Sequence, residues 1–356
     1  TQQNIATSFN IENLETLDAI YIQISEGYSP GEDQLIYSGS NPDLNTTWNV
    51  NEGKLEISSL IGNDLTIDNF IDAVYDVFFF SSNPNPSNKV FSITLGDLNY
   101  LEETGHFYEF ISAPNILWTA AKTEAEDLNY FGLQGYLATI RSEAENQIAA
   151  VQINDVGWIG ASDATTEGDW RWVTGPEGLE NGGTGVPFWS GLGPQSGGSP
   201  VNGEYSNWNN EPNASGQLAN EPNNSNGENY AHVTSPNVGL DGSWNDLDNE
   251  TQPSGDYQAK GYIVEYGGMP GEPTDLSLST TTSLFAPPSI TLEPFVGTNC
   301  EEVSMNASSD FEAGKVFWFD EEIGGDSVHY GTTYTPGITV PGFYQFWVSP
   351  FENGEC

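Results

Sequence analysis

Apolar and polar positions alternate along the first hundred residues. Ala19-Ile20-Tyr21-Ile22-Gln23-Ile24, Lys54-Leu55-Glu56-Ile57 and Val90-Phe91-Ser92-Ile93-Thr94-Leu95 put every second side chain on one face, the period of a half-buried strand. Turn formers such as Ser81-Ser82-Asn83-Pro84-Asn85-Pro86 separate them. This pattern predicts a β-sandwich over residues 1–101. The period then changes. Trp118 to Phe131 carries Trp118, Ala121, Ala125 and Leu128 on one helical face, and Ser142 with Glu145 has capping-box spacing ahead of Ile148, Ala149 and Val151. Beyond this the chain is rich in Gly, Asn and Trp, and little regular structure is expected until Gly261-Tyr262-Ile263-Val264-Glu265-Tyr266, a closing strand. Two helices, a long loop region and a final strand make residues 102–267 an α+β domain. A loop of that length in a compact domain is normally functional, and a metal could order it. Residues 268–286, rich in Pro, Ser and Thr, read as a linker. Strand-like runs return in 287–356, at Val316–Phe319 and Phe343–Val348, and predict a second sandwich.

Charge narrows the partners. The 356 residues hold 7 Lys+Arg against 51 Asp+Glu, a formal net charge of −44. Such a chain repels nucleic acid and anionic membrane, and it attracts calcium, which takes carboxylate and carbonyl oxygens. Ten Trp, 16 Tyr and 18 Phe supply the large apolar groups of a folded protein. No run of 18 apolar residues exists, so no membrane insertion is expected. The chain opens at Thr1 without a signal peptide and stops at Cys356, as an excised piece of a longer protein would. Its two cysteines, Cys300 and Cys356, bracket the last β-rich stretch; they read as one disulfide in an oxidising compartment or as two free thiols.

The most informative residues lie in the Gly- and Asn-rich stretch: Glu221-Pro222-Asn223-Asn224, Glu228-Asn229 and Trp244-Asn245-Asp246. A hard cation needs several oxygen ligands, and Glu221, Asn223, Glu228, Asn245 and Asp246 supply them. Two neighbouring sugar hydroxyls can complete the shell, each donating its proton to a Glu carboxylate and accepting from an Asn amide; Glu221, Asn223, Glu228 and Asn245 have that chemistry. Catalytic patterns are weaker. Gly27-Tyr28-Ser29-Pro30-Gly31 fits a nucleophile elbow, but Pro30 has no N–H for an oxyanion hole and no helix follows. His106, His232 and His329 fall in different segments without triad or metal spacing. Fifty-one acids always offer a carboxylate pair, which alone is no sign of a glycosidase. The chain does not read as an enzyme.

These motifs resemble the C-type lectin family. Trp158-Ile159-Gly160-Ala161 matches its central motif, Glu221-Pro222-Asn223 and Trp244-Asn245-Asp246 its two sugar-site motifs, and Gly261 to Tyr266 its last strand. The resemblance covers about 160 residues. It implies a cis Glu221–Pro222 peptide and a mannose-, fucose-, glucose- or N-acetylglucosamine-type ligand. It also implies a second calcium held by Asp163, Glu167, Asn224 and Asn229, with Asn229 standing where the family usually has Asp. The family's disulfides are missing: Tyr230 and Val264 occupy cysteine slots, as in cysteine-free bacterial members. A further Glu-Pro-Asn at Glu211-Pro212-Asn213 lacks the downstream amide and acid and is placed in an inserted loop. The formylglycine-generating enzymes share this fold family but depend on cysteines, which this segment lacks.

The order of pieces in residues 1–101, including Gly31-Glu32-Asp33-Gln34-Leu35 and Phe70-Ile71-Asp72-Ala73-Val74-Tyr75, resembles cadherin-like repeats of bacterial surface proteins. Residues 287–356 resemble immunoglobulin-like modules of Bacteroidota surface proteins, in which Trp318 would pack on a Cys300–Cys356 bridge. Together the resemblances imply a secreted or cell-surface adhesin of the kind used in gliding. It would bind glycans on another cell or an extracellular polysaccharide through calcium, beside other modules of the same long chain. A protein- or ice-binding adhesin on the same scaffold and a calcium-stiffened spacer are the alternatives.

Overall fold

The alternating stretches of the first hundred residues pair as antiparallel strands. The computed structural model describes residues 2–12, 17–60, 65–153, 156–212, 218–234, 238–250, 254–273, 278–284, 290–293, 304–309, 314–321, 327–338 and 344–350. The chain divides into two units, Thr1–Leu284 and Phe285–Cys356. In the first, five strands lie in the order Ser279–Leu284, Lys89–Thr94, Ala19–Glu26, Lys54–Ser59, Leu44–Asn49. A smaller sheet is formed by Gln2–Asn4, Val77–Ser81 and Asp33–Tyr37. Ile20, Ile22, Ile24, Leu55, Ile57, Phe91 and Ile93 of the large sheet share one core with Leu35, Val77 and Phe79 of the small one. Register and alternation agree, because Ile22 faces Leu55 on one side and Ile93 on the other. The Phe70–Tyr75 piece belongs to a helix, Ile67–Tyr75, that buries Phe70, Ala73 and Val74 at helical spacing. At its start the Thr66 N–H donates to Asn69 Oδ1 at 3.0 Å.

Both expected boundaries of the middle domain move. Asn99–Leu101 pairs with His106–Ser112, so the domain starts before residue 102. The presumed linker 268–286 contains the strand Ser279–Leu284, paired with Lys89–Thr94 from Ser279↔Thr94 through Leu284↔Lys89. Its Ser/Thr composition, read as flexible, suits an edge strand with one wet face, because β-branched Thr favours extended backbone. The middle domain is therefore inserted between two neighbouring strands of the sandwich.

Within the insertion, Gly261–Tyr266 is the central strand. It pairs with His106–Ser112 and Leu133–Leu137 and lies parallel to Trp158–Ser162. The expected helix ends at Glu126 rather than Phe131, because Asn129–Tyr130 turns back on Leu133–Leu137 with Phe131 and Gly132 at positive φ. The second helix starts at Ser142, whose Oγ accepts from the Glu145 N–H at 3.1 Å. The Glu145 carboxylate reaches the Arg141 N–H at 2.6 Å, one residue before the cap that a capping box would use. Four further strands and the short Ser199–Pro200 run through the stretch expected to be irregular: Asp169–Trp172, Val186–Ser190, Tyr230–Val233 and Trp244–Leu247. Short strands between glycines carry too few residues to show a period, yet their aromatic positions build the core. Trp158, Trp170, Trp172, Trp189 and Trp208 are all buried, with Trp172 stacked on Phe188 at 4.6 Å. Gly160 of the central motif is needed sterically: a Cβ there would sit 1.9 Å from Thr174 Oγ1 and 2.6 Å from the Leu137 carbonyl oxygen.

In the second unit, Phe317–Phe319 pairs with Ser327–Tyr330 and Trp347–Ser349, and Met305–Ser309 pairs with Ile290–Leu292 and Thr333–Tyr334. Trp318 is buried with Ala307 and Val316, and its Nε1 donates to the Gly331 carbonyl at 3.0 Å. Cys300 and Cys356 lie outside the described residues. Among the described residues no helix is long and apolar enough to cross a membrane.

Candidate metal and ligand site

The Glu221-Pro222-Asn223 and Trp244-Asn245-Asp246 motifs, with 21 positions from Asn223 to Trp244, meet through Asp246. The strands Tyr230–Val233 and Trp244–Leu247 pair antiparallel, with Ala231 opposite Asp246 and His232 opposite Asn245. Trp244 buries its ring in the core and thereby fixes the two residues that follow. Asp246 then accepts from the N–H groups of Asn223 at 2.9 Å and Asn224 at 2.8 Å, one on each carboxylate oxygen. Backbone steps hold the opposite side. Asn209 donates its N–H to the Trp244 carbonyl at 2.7 Å, Glu221 donates to the Asn209 carbonyl at 2.9 Å, and Gly193 donates to the Pro222 carbonyl at 2.7 Å. The Glu221–Pro222 peptide is cis. Asn223 Nδ2 donates to Glu221 Oε2 at 2.6 Å, and Ser225 N–H donates to Glu228 Oε2 at 3.0 Å.

No Lys, Arg or His side chain pairs with Glu221, Glu228, Asp246 or Asp163 among the described residues. Their proton affinities rise accordingly. Burial, then the charge of Asp246 and of Glu228, pushes the Glu221 carboxyl up, and burial does the same to Asp246. Burial and the Asp246 charge push Glu228 to about 7; burial, Glu167 and Asp246 push Asp163 to about 7. Two side-chain oxygens, Asp163 Oδ1 and Asn224 Oδ1, are buried without any hydrogen-bond partner. Among the described residues no three His, Cys, Asp or Glu side chains converge on one point. Amide and main-chain oxygens would therefore have to complete any cation shell. Carboxylates without counter-ions beside unpartnered oxygens fit a hard, oxygen-seeking cation such as calcium.

Sequence-derived candidates fall into three groups. Glu221, Asn223, Asn224, Glu228 and Asp246 gather around one loop. Asp163 joins them through the main chain, its N–H donating to the Asn229 carbonyl at 3.3 Å. Asn229 uses its side chain locally, donating to the Gly227 carbonyl at 3.1 Å, and Glu167 is exposed, acting on Asp163 only through its charge. Asn245 is buried with its amide turned inward, Oδ1 accepting from Thr234 Oγ1 at 3.2 Å and Nδ2 donating to the Asp246 carbonyl at 3.3 Å. The earlier Glu-Pro-Asn forms a separate turn in which Ala219 N–H donates to the Glu211 carbonyl at 3.0 Å; Asn213 lies outside the described residues.

Sequence reasoning missed Asn209, Gly193 and Asn220. Asn220, Asn224 and Asn226 adopt φ of 57°, 51° and 64°, a conformation Asn tolerates, which explains why this loop is rich in Asn. A Cβ on Gly193 would lie 2.1 Å from the Asn220 carbonyl oxygen, so only glycine lets that loop grip Glu221–Pro222. The one available signal was the density of Asn and Gly on both sides of the motif. His232 is fully buried, edge-on to Trp158 at 5.2 Å, with neither ring nitrogen bonded.

No protein-family model matches the chain. Over 265 residues, 71% of the chain, it is 35% identical to halomucin of Haloquadratum walsbyi, and the match spans 2% of that protein's length.

Proposed function

We propose that the inserted domain is a C-type-lectin-like module that binds calcium and, through it, a sugar, within a secreted or cell-surface adhesin. The observation that carries this reading is the closure of Glu221–Asn224 onto Asp246, with Asp163 Oδ1 and Asn224 Oδ1 buried and unpartnered beside them. Glu221 and Asp246, completed by the Asn223 amide and by main-chain oxygens, would hold one ion, and Asp163 with Asn224 a second. When bound, calcium supplies an electrophile that accepts a lone pair from each of two neighbouring hydroxyls. Glu221 and Glu228 would accept hydrogen bonds from those hydroxyls, and the Asn223 amide would donate one. The similarity to halomucin, whose length this chain matches only in small part, fits a module of a long extracellular protein. The flanking sandwiches are read as cadherin-like and immunoglobulin-like spacers, the latter closed by Cys300–Cys356. The module is read as a binding domain, not an enzyme.

A second reading rests on Asn245, whose inward amide leaves the sugar-facing set one donor short: calcium that stiffens the loop without a sugar. Calorimetric titration of calcium into chelator-stripped protein, followed by a glycan array with and without calcium, tests both. Calcium uptake with calcium-dependent glycan signals supports the lectin. Calcium uptake with no glycan signal leaves the stiffened spacer, and no uptake removes both.

A further inference from the structure

The domain bearing the candidate site is an excursion between adjacent strands. The chain leaves the sandwich after Lys89–Thr94 and returns as Ser279–Leu284, and the two strands are paired along six positions. Leu95 N–H donates to the Leu278 carbonyl at 3.0 Å, closing the neck of the excursion. The inserted domain also docks on the sandwich beside the turn at Glu52. Gln152 Nε2 donates to the carbonyls of Ile24 at 2.8 Å and Glu52 at 2.7 Å, and Lys54 Nζ donates to the Asp97 carbonyl at 2.7 Å.

Strand direction decides how this neck responds to pulling. Ala19–Glu26 and Ser279–Leu284 flank Lys89–Thr94, and each is antiparallel to it, so the two outer strands run the same way. Tension from the N-terminal side first parts the short strand Gln2–Asn4 from Val77–Ser81 and then draws on Ala19 at one edge of the ladder. Tension from the C-terminal side draws on Leu284 at the other. The outer strands are then pulled along their length past the middle one, and the ladder hydrogen bonds share the load instead of opening one by one. Residues 95–278 lie off that path.

We propose that the fold is a force bypass: end-to-end tension on the chain runs through the sandwich ladder and leaves the inserted domain unloaded until that ladder separates. A ligand site on the insertion then keeps its geometry while the chain is stretched. The bypass depends on topology alone and holds whether or not the site takes calcium or sugar.

The test is single-molecule pulling of the full chain by handles at its two ends. Unfolding the insertion releases about 60 nm, at roughly 3.4 Å per residue for residues 95–278. That step should always follow a shorter one from the sandwich. Thr282→Pro, or the milder Thr282→Gly, weakens the returning strand. Either should shift the force at which the long step first appears downward, with the calcium response of the inserted domain in bulk solution unchanged. A long step that precedes any sandwich step, or an onset force that neither substitution moves, overturns the bypass.

Discussion

Sandwich and insertion each bury carboxylates, and they treat them oppositely. In the sandwich, Asp33 and Lys89 are almost fully buried with Oδ2 and Nζ 2.7 Å apart. The same Oδ2 accepts from the Ser29 N–H at 2.9 Å, while Lys89 also donates to Ser87 Oγ at 3.2 Å. A cation carried by the chain neutralises that acid, and only Asp33 Oδ1 is left without a partner. In the insertion, Glu221, Glu228, Asp246 and Asp163 have backbone N–H and amide donors but no Lys, Arg or His partner among the described residues. Burial raises the pKa values of these acids, and the hydrogen bonds that orient them offset that rise only in part. The difference separates a finished structural pair from a set of oxygens suited to a charge from outside.

Breaking the finished pair should have the largest effect. Lys89→Met leaves Asp33 buried and unpaired, and we expect a loss of about 3–5 kcal/mol in chemical denaturation of the sandwich. Adding Asp33→Leu should restore most of it. Retention of full stability by Lys89→Met alone would show that the pair contributes little.

The open set should respond to calcium instead. At a free concentration near 100 times Kd, calcium should stabilise the inserted domain by about 2.7 kcal/mol, read as a shift in its thermal transition that chelator reverses. Asp246→Asn should abolish that shift, and Gly193→Ala should weaken it by displacing Asn220. Lys89→Met should leave the shift intact. Equal calcium responses in wild type and Asp246→Asn would contradict the assignment.

A third contrast lies elsewhere in the insertion. Glu145 is buried beneath Tyr108, which donates to it at 2.9 Å, and burial followed by the charge of Glu265 pushes its pKa up to about 8. A carboxyl raised in the folded state contributes stability that is complete below its ordinary value of 4.5 and is lost as pH rises toward 8. Stability of the inserted domain in chelator should therefore fall between pH 5 and about pH 8, and Glu145→Gln should reduce that slope by one group's share, the rest coming from Glu221, Glu228 and Asp163. A slope unchanged in Glu145→Gln would assign it to other groups.

The smallest effect distinguishes the two Glu-Pro-Asn copies. Glu211→Gln should leave calcium affinity unchanged, because Glu211 sits in its own turn, whereas Glu221→Gln should lower it at least about tenfold, the equivalent of 1.4 kcal/mol. Loss of calcium through Glu211 with retention in the Glu221 variant would reverse the assignment.

Much of this was legible in the chain. Alternation at Ala19–Ile24 and Val90–Leu95 specified strands and their buried faces, because a period of two places every second residue in one environment. Ser142 marked a helix start, and the order of the motifs, with the spacing after Glu221, picked out the loop that closes on Asp246. Other features depended on distant partners. Phe70–Tyr75 became a helix because its apolar spacing fits the sandwich core, and the Gly-rich stretch gained strands because Trp170, Trp172 and Phe188 share one interior. The return of Ser279–Leu284 to Lys89–Thr94 crosses the whole insertion, and no local period records it. The inward turn of Asn245 toward Thr234 is likewise a tertiary outcome. Local pattern fixes which face of an element avoids water, since that depends on neighbours a few residues away. Which faces meet is decided by burial summed over the whole domain, and this chain's candidate site is assembled at such a meeting.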